Sequence, residues 1–273
     1  MAEITAALVK ELREITNLPM MDCKQALQAT GGDKDAAVKW LREKGLKVME
    51  GRGGRETAFG RFGIYTSANG GGIVELKCES APVAGSEEFI TLANDLAKAL
   101  AGSPSVTTAE ELLKLPSPSK PGMTLGEVKD DMFNRIREVF NVGRLARLEG
   151  ITGGYSHNSG TVAGVLLQYE GTQNDAAAKD ISMHVAAMRP QGLSKEDIPA
   201  EAIEAERQIL REAALKEGKP ANIVDKMVEG RLKNFYAERV LTEQPFVKDD
   251  KQTVAAFAQA SGMKLVKVVH WEL

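Results

Sequence analysis

The sequence predicts an α+β protein: a three-helix unit at its start, two similar modules of strands and helices behind it, and an antiparallel helical hairpin inserted into the second module. Three observations carry that expectation. Apolar residues recur at helical spacing through residues 1–45. Two later segments alternate like strands and break at Asn- and Gly-containing turns. Residues 194–242 then hold two long, charged helical patterns joined by Gly218-Lys-Pro220.

Taken in order, Ile4, Leu8, Leu12 and Ile15 stand one helical turn apart, and Asn17-Leu-Pro breaks that helix. A second helix spans residues 21–30. Gly31-Gly32-Asp33 supplies a turn and an N-cap for a third, whose stripe is Ala37, Trp40 and Leu41 and whose C-terminal cap is Gly45. So small a unit, with Trp40 as its one large anchor, reads as an appended recognition module. Residues 50–61, rich in Gly and Arg, form a linker.

Beyond the linker, strands at 62–67 and 72–78 flank Ala68-Asn69-Gly70-Gly71, a hairpin signal. A helix follows at 87–100, then a Pro- and Ser-rich tether at 103–122, a helix at 125–140 and a strand at 142–149. The second half repeats this order. Strands at 153–157 and 162–169 flank Asn158-Ser-Gly160, a helix covers 175–188, and helix 253–260 and strand 265–272 close the chain. Duplication is inferred from element order, because the halves share few identities. In the insertion, Ile203, Ile209, Leu210 and Ala213 are expected to face Ile223, Met227, Val228, Leu232 and Phe235. A packing arm and a self-association arm fit that pattern equally.

Composition narrows the function. The chain has 273 residues, with 35 basic and 38 acidic side chains for a formal charge of -3, too balanced for broad binding to a nucleic-acid backbone. The local basic run Arg42, Lys44, Lys47, Arg52, Arg55 and Arg61 reads as a solvated linker. Cys23 and Cys78 show no redox or metal spacing, which suits a reducing cytoplasm, and Cys23 beside Ala26 and Leu27 reads as a small core residue. No basic, apolar leader opens the chain and no apolar run could span a bilayer. A cytoplasmic protein is expected.

Catalytic chemistry is not in evidence. Phosphate-loop, zinc-protease, nucleophile-elbow and C-x-x-C patterns are all missing, and the glycines at 51, 53, 54 and 70–72 do not open a helix in dinucleotide-binding order. His157, His184 and His270 have no neighbouring carboxylate or cysteine in zinc spacing. His184 and His270 read as core or surface histidines, whereas His157 sits at a hairpin tip. Neither enzyme activity, cofactor nor bound metal is expected. What remains is apolar residues in unusual places: Met20 and Met21 at a helix start, Pro82 and Val83 in a loop. That is the pattern of a docking surface.

The residues also carry a resemblance. Ala2-Glu-Ile-Thr-Ala, Val9-Lys-Glu-Leu-Arg, Met20-Met-Asp-Cys-Lys-Gln-Ala-Leu27, Met183-His-Val-Ala-Ala187, Glu217-Gly-Lys-Pro220, Val228-Glu-Gly-Arg-Leu232 and Glu243-Gln-Pro-Phe-Val247 resemble bacterial elongation factor Ts, in order along nearly the whole chain. The resemblance implies a domain similar to the ubiquitin-associated fold at 1–50, a core module at 56–150, and a second at 151–273 with the hairpin inserted at about 194–242. It implies guanine-nucleotide exchange on elongation factor Tu, with GDP released as Mg²⁺ coordination is lost. Met20, Met21, Lys24 and His157 match the family's contacts to that GTPase. Ser80-Ala-Pro-Val83 stands where the family has Thr-Asp-Phe-Val, whose acidic and aromatic residues enter near the magnesium site, so Ala81 and Pro82 depart from the pattern. A non-exchanging or chaperone-like partner of the same GTPase is the alternative, and RNA binding by the opening unit a third. The expected partner is the GTPase, without direct nucleotide, nucleic-acid or membrane contact, and a homodimer through the hairpin or core is open.

Overall fold

A computed structural model describes residues 4–51, 54–217 and 220–273. Residues 1–3, with Ala2 and Glu3 of the opening motif, Arg52 and Gly53 of the linker, and Gly218-Lys219 of the hairpin turn lie outside the described residues. The chain forms two compact units: residues up to Gly63 with Val74–Leu145, and Ile64–Ile73 with Ala146–Leu273.

In the first unit, α1 (Ala6–Thr16) begins where the Thr5 hydroxyl accepts the Leu8 N–H, and ends at Asn17 in the left-handed region. Pro19 opens α2 (Met20–Ala29), and the Asp33 side chain caps α3 (Lys34–Glu50). Val9, Leu12, Leu18, Cys23, Ala26, Leu27, Ala37 and Leu41 form their common core. Two expectations are corrected here. Ile15 is 63% exposed, because Val9 and Leu12 take the buried face of α1. Gly45 does not end α3: the helix continues through it to Glu50, and a Cβ at Gly45 would overlap the amide of buried Asn134. The glycine is there to let a second helix come close.

Strands β1 (Phe59–Tyr65) and β2 (Gly70–Cys78) are followed by α4 (Ala81–Ala84), α5 (Glu87–Ala101), α6 (Ala109–Leu113), α7 (Leu125–Ile136) and β3 (Asn141–Glu149), in a sheet of order β1-β2-β3. The opening strand starts inside what reads as linker. The tether holds α6, started by a capping box between Thr108 and Glu111, and α7 stops four residues early because Arg137 turns left-handed at φ 66°. Asn134, on α7, is the residue that meets Gly45. Phe89 packs against Phe140 at 5.8 Å between centroids. Gly63 faces the backbone of Ala93 on α5, with no room for a Cβ.

In the second unit, β4 (Ile151–Ser159) and β5 (Thr161–Gly171) pair antiparallel around Gly160, and α8 (Asp175–Met188) covers them. Next come α9 (Ala200–Lys216) and α10 (Ala221–Arg239), then a two-stranded ribbon of β6 (Pro245–Phe246) and β7 (Asp249–Thr253), α11 (Val254–Ala260) and β8 (Met263–Glu272). The sheet order is β4-β5-β8, with β8 antiparallel to β5. Val165, Leu167, Tyr169, Ile181, Val185, Leu241 and Val254 are among its core residues. Gly153 on β4 likewise leaves no room for a Cβ against Ala178 of α8, so each unit sets a strand glycine against a helix alanine.

The helices α9 and α10 bury Ala214, Val224, Val228, Leu232 and Phe235, with Ile203 and Leu210 packed alongside. Ile209 and Ile223, expected at that seam, are 61% and 41% exposed. The stripe on α9 follows Ile203, Leu210 and Ala214, which leaves Ile209 and the half-buried Ala213, one turn apart, on the same flank of it. Ion pairs Arg207–Glu229 and Arg211–Asp225 bridge the two helices at solvent-exposed positions, where each contributes little.

Candidate functional site

The α2 start places apolar groups in water. Pro19 sets the entry with φ -56° and ψ 139°, Leu18 and Cys23 turn inward, and Met20 and Met21 are left 50% and 63% exposed. Exposed Lys24 stands one turn on, and Ile15 at the end of α1 adds an apolar residue that its helical spacing had assigned to the core. Polar contacts hold this start firmly. Asp22, in the first turn, accepts from Lys44 Nζ at 3.0 Å and from Arg137 Nη2 at 2.6 Å. Lys44 and Arg55, which read as solvated linker charges, are thus engaged with Asp22 and Glu79.

Ser80-Ala-Pro-Val83 is not an open loop. Residues 81–84 form α4, and the residue before it, Ser80, is extended (φ -136°, ψ 149°). Pro82 falls in the first helical turn, where its missing N–H leaves no hydrogen bond unmade. Ala81 and Pro82 are exposed and Val83 is half-buried. No residue of α4 is buried, and the Ser80 hydroxyl does not cap it. That hydroxyl instead donates to Glu138 Oε1 at 2.6 Å, while the Ser80 N–H donates to Glu138 Oε2 at 3.1 Å. The Ser80 carbonyl accepts from Cys78 Sγ at 3.2 Å. Burial pushes the Cys78 thiol up to about 11, so it stays protonated and remains a donor. Glu79 Oε1 accepts the N–H of Val139 at 2.8 Å.

Asp22, Glu79 and Ser80 are therefore all held by three consecutive residues, Arg137, Glu138 and Val139, at the turn between α7 and β3. Sequence reading missed this turn. Nothing in the sequence marks it: the left-handed backbone of Arg137 shows only in the folded chain.

His157, in the second unit, lies within β4 opposite Ala163 and not at the tip, which is Ser159-Gly160-Thr161 with Gly160 at φ 78°. Both ring nitrogens are engaged: Nε2 donates to the Ser159 carbonyl at 2.8 Å and Nδ1 accepts from the Tyr155 hydroxyl at 3.0 Å. The ring is half-buried and its pose is fixed by its own strand. His184 is fully buried, and its Nε2 donates to Gln244 Oε1 at 2.9 Å while Nδ1 accepts the Val247 N–H at 3.1 Å. It joins the segment Met183–Ala187 to Glu243–Val247. Among the described residues, no group of three His, Cys, Asp or Glu side chains could hold a metal ion, and no helix is long and apolar enough to cross a membrane.

The fold and these surfaces define an α+β protein of two units that presents apolar residues at helix starts and holds those starts by polar ties. The family model for Elongation factor TS matches residues 82–273. An Elongation factor Ts from Methylococcus capsulatus (strain ATCC 33009 / NCIMB 11132 / Bath) is 42% identical over 275 residues, covering 99% of this chain and 92% of that protein. The chain belongs to the elongation factor Ts family.

Proposed function

We propose that this chain is a guanine-nucleotide exchange factor for elongation factor Tu, acting by binding and not by covalent chemistry. The single observation that carries the reading, within this family, is the exposure of Met20 and Met21 on a helix whose start is fixed by Asp22, Lys44 and Arg137. Core methionines would be covered. Thioethers on a rigid base can mould to an apolar helix surface of a partner with no backbone left to order on docking.

A factor that binds the nucleotide-free GTPase better than the GDP-bound one must, by linkage, weaken GDP by the same ratio. No catalytic side chain is required. A Mg²⁺ ion on the GTPase bridges phosphate and protein, so displacing the elements that hold it loosens the nucleotide. In this reading the methionine patch and Lys24 supply affinity, the α4 tip (Ala81, Pro82 and Val83) presses toward the magnesium site as a short apolar wedge, and the β4–β5 hairpin with His157 makes a separate contact. Stopped-flow release of fluorescent GDP from elongation factor Tu, with and without this chain, tests it. Acceleration at catalytic amounts of chain supports the reading, and tight binding with unchanged release refutes it. The latter outcome would favour a non-exchanging partner, the reading that Ala81 and Pro82 at the α4 tip keep open.

A further inference from the structure

We propose that the Arg137–Glu138 step is a positioning element that fixes the α4 tip relative to the methionine patch, so that both reach a partner as one preformed surface. This rests on the exchange-factor reading. No residue of the four-residue α4 is fully buried and no side chain caps its start; its far end is tied by Arg61 Nη1 donating to the Ala84 carbonyl at 3.4 Å and the Ser86 hydroxyl donating to the Val83 carbonyl at 2.8 Å. Its leading end, which carries Ala81 and Pro82, is set through Ser80, whose N–H and hydroxyl both end on Glu138. The preceding residue, Arg137, reaches the opposite way to Asp22 in the first turn of α2. Its left-handed backbone, φ 66°, is unfavourable for a residue with a side chain and persists where surrounding contacts over-determine it. Here those contacts are the Asp22 ion pair and the bond from Arg137 N–H to the Phe133 carbonyl at 2.7 Å.

Two surfaces far apart in sequence are thereby joined across one peptide bond. The wedge is presented at a set distance from the anchor and is not searched for by a mobile loop, which lowers the ordering cost in the step that displaces nucleotide. Arg137 and Glu138 act through α2 and Ser80 and are positioning residues.

The test uses the full chain, fluorescent-GDP release at saturating and sub-saturating chain, and amide hydrogen exchange of the free protein. Glu138→Ala is expected to lower the saturating rate about tenfold while the half-saturating concentration changes less than about threefold. Glu138→Gln, whose amide oxygen still accepts one bond from Ser80, should recover more than half of that rate. In the free Glu138→Ala protein, the Ala84 and Gly85 amides should exchange at least about tenfold faster, with α5 unchanged. Arg137→Gly keeps the left-handed turn and the Ser80 tie but removes the link to Asp22. It should lower the saturating rate about threefold with α4 protection intact. Unchanged α4 protection in Glu138→Ala overturns the anchor, and an unchanged rate in Arg137→Gly overturns the link to α2. If the unmodified chain fails to accelerate release, the exchange reading falls, while hydrogen exchange in Glu138→Ala still decides whether Glu138 holds α4.

Discussion

Replacing His184 with Ala should destabilise the second unit by about 4 kcal/mol. The figure follows from what the imidazole touches. Two hydrogen bonds disappear, to Gln244 Oε1 and from the Val247 N–H, at about 1 kcal/mol each. Val247 is half exposed and its N–H can recruit water, but Gln244 is fully buried, so its orphaned oxygen raises the cost of that bond to roughly 1–3 kcal/mol, and the cavity left by the buried imidazole supplies about 1 kcal/mol more. For a unit of this size the melting temperature should fall by roughly 8–16 °C. Because Nδ1 already accepts from Val247, protonation would set two donors face to face, and burial adds to that: the His184 pKa lies below its ordinary value of 6.5, chiefly through desolvation. The sign follows. The unfolded chain takes up the proton at higher pH than the folded one, so this contribution is complete above about pH 6.5 and is lost as pH falls below it. Thermal unfolding by circular dichroism at a series of pH values checks both parts. His184→Ala should lose stability at neutral pH and show a shallower acid slope, with His270, lowered mainly by burial, keeping part of it. A shift under about 2 °C at neutral pH would refute the reasoning.

Truncating Met20 and Met21 to Ala should weaken binding to elongation factor Tu by about 1–3 kcal/mol by calorimetry, with the helical signal retained; retained affinity with lost helix would make them core. His157→Ala should slow GDP release while moving the melting temperature by less than about 2 °C, since its bonds lie within its own strand. Ala81→Asp with Pro82→Phe should accelerate GDP release about tenfold, a barrier change of roughly 1.4 kcal/mol, and an unchanged rate would remove the α4 tip from control of release. Gly63→Ala and Gly153→Ala should each cost about 2 kcal/mol or more in urea unfolding, because the new methyl meets Ala93 backbone in one case and the Ala178 side chain in the other.

What the sequence determined by itself was local in origin. Periodic apolar residues, Asp33 before a helix and turn glycines such as Gly160 act within a few residues, so helices and strands could be read from neighbours alone. The burial of Cys23, Ala26 and Leu27 was readable in the same way, and with it the placement of Met20, Met21 and Lys24 on the remaining surface. Tertiary structure decided the rest. Gly45 looked like a helix end because glycine is a common cap, yet only the approach of Asn134 explains it. The bonds from Arg137 to Asp22, from Ser80 to Glu138, and between His184 and Gln244 span 115, 58 and 60 residues. None leaves a periodic or spaced trace in the chain. They exist because packing brings a helix end, a strand end and a short turn within hydrogen-bond reach, and that proximity is a property of the folded chain alone.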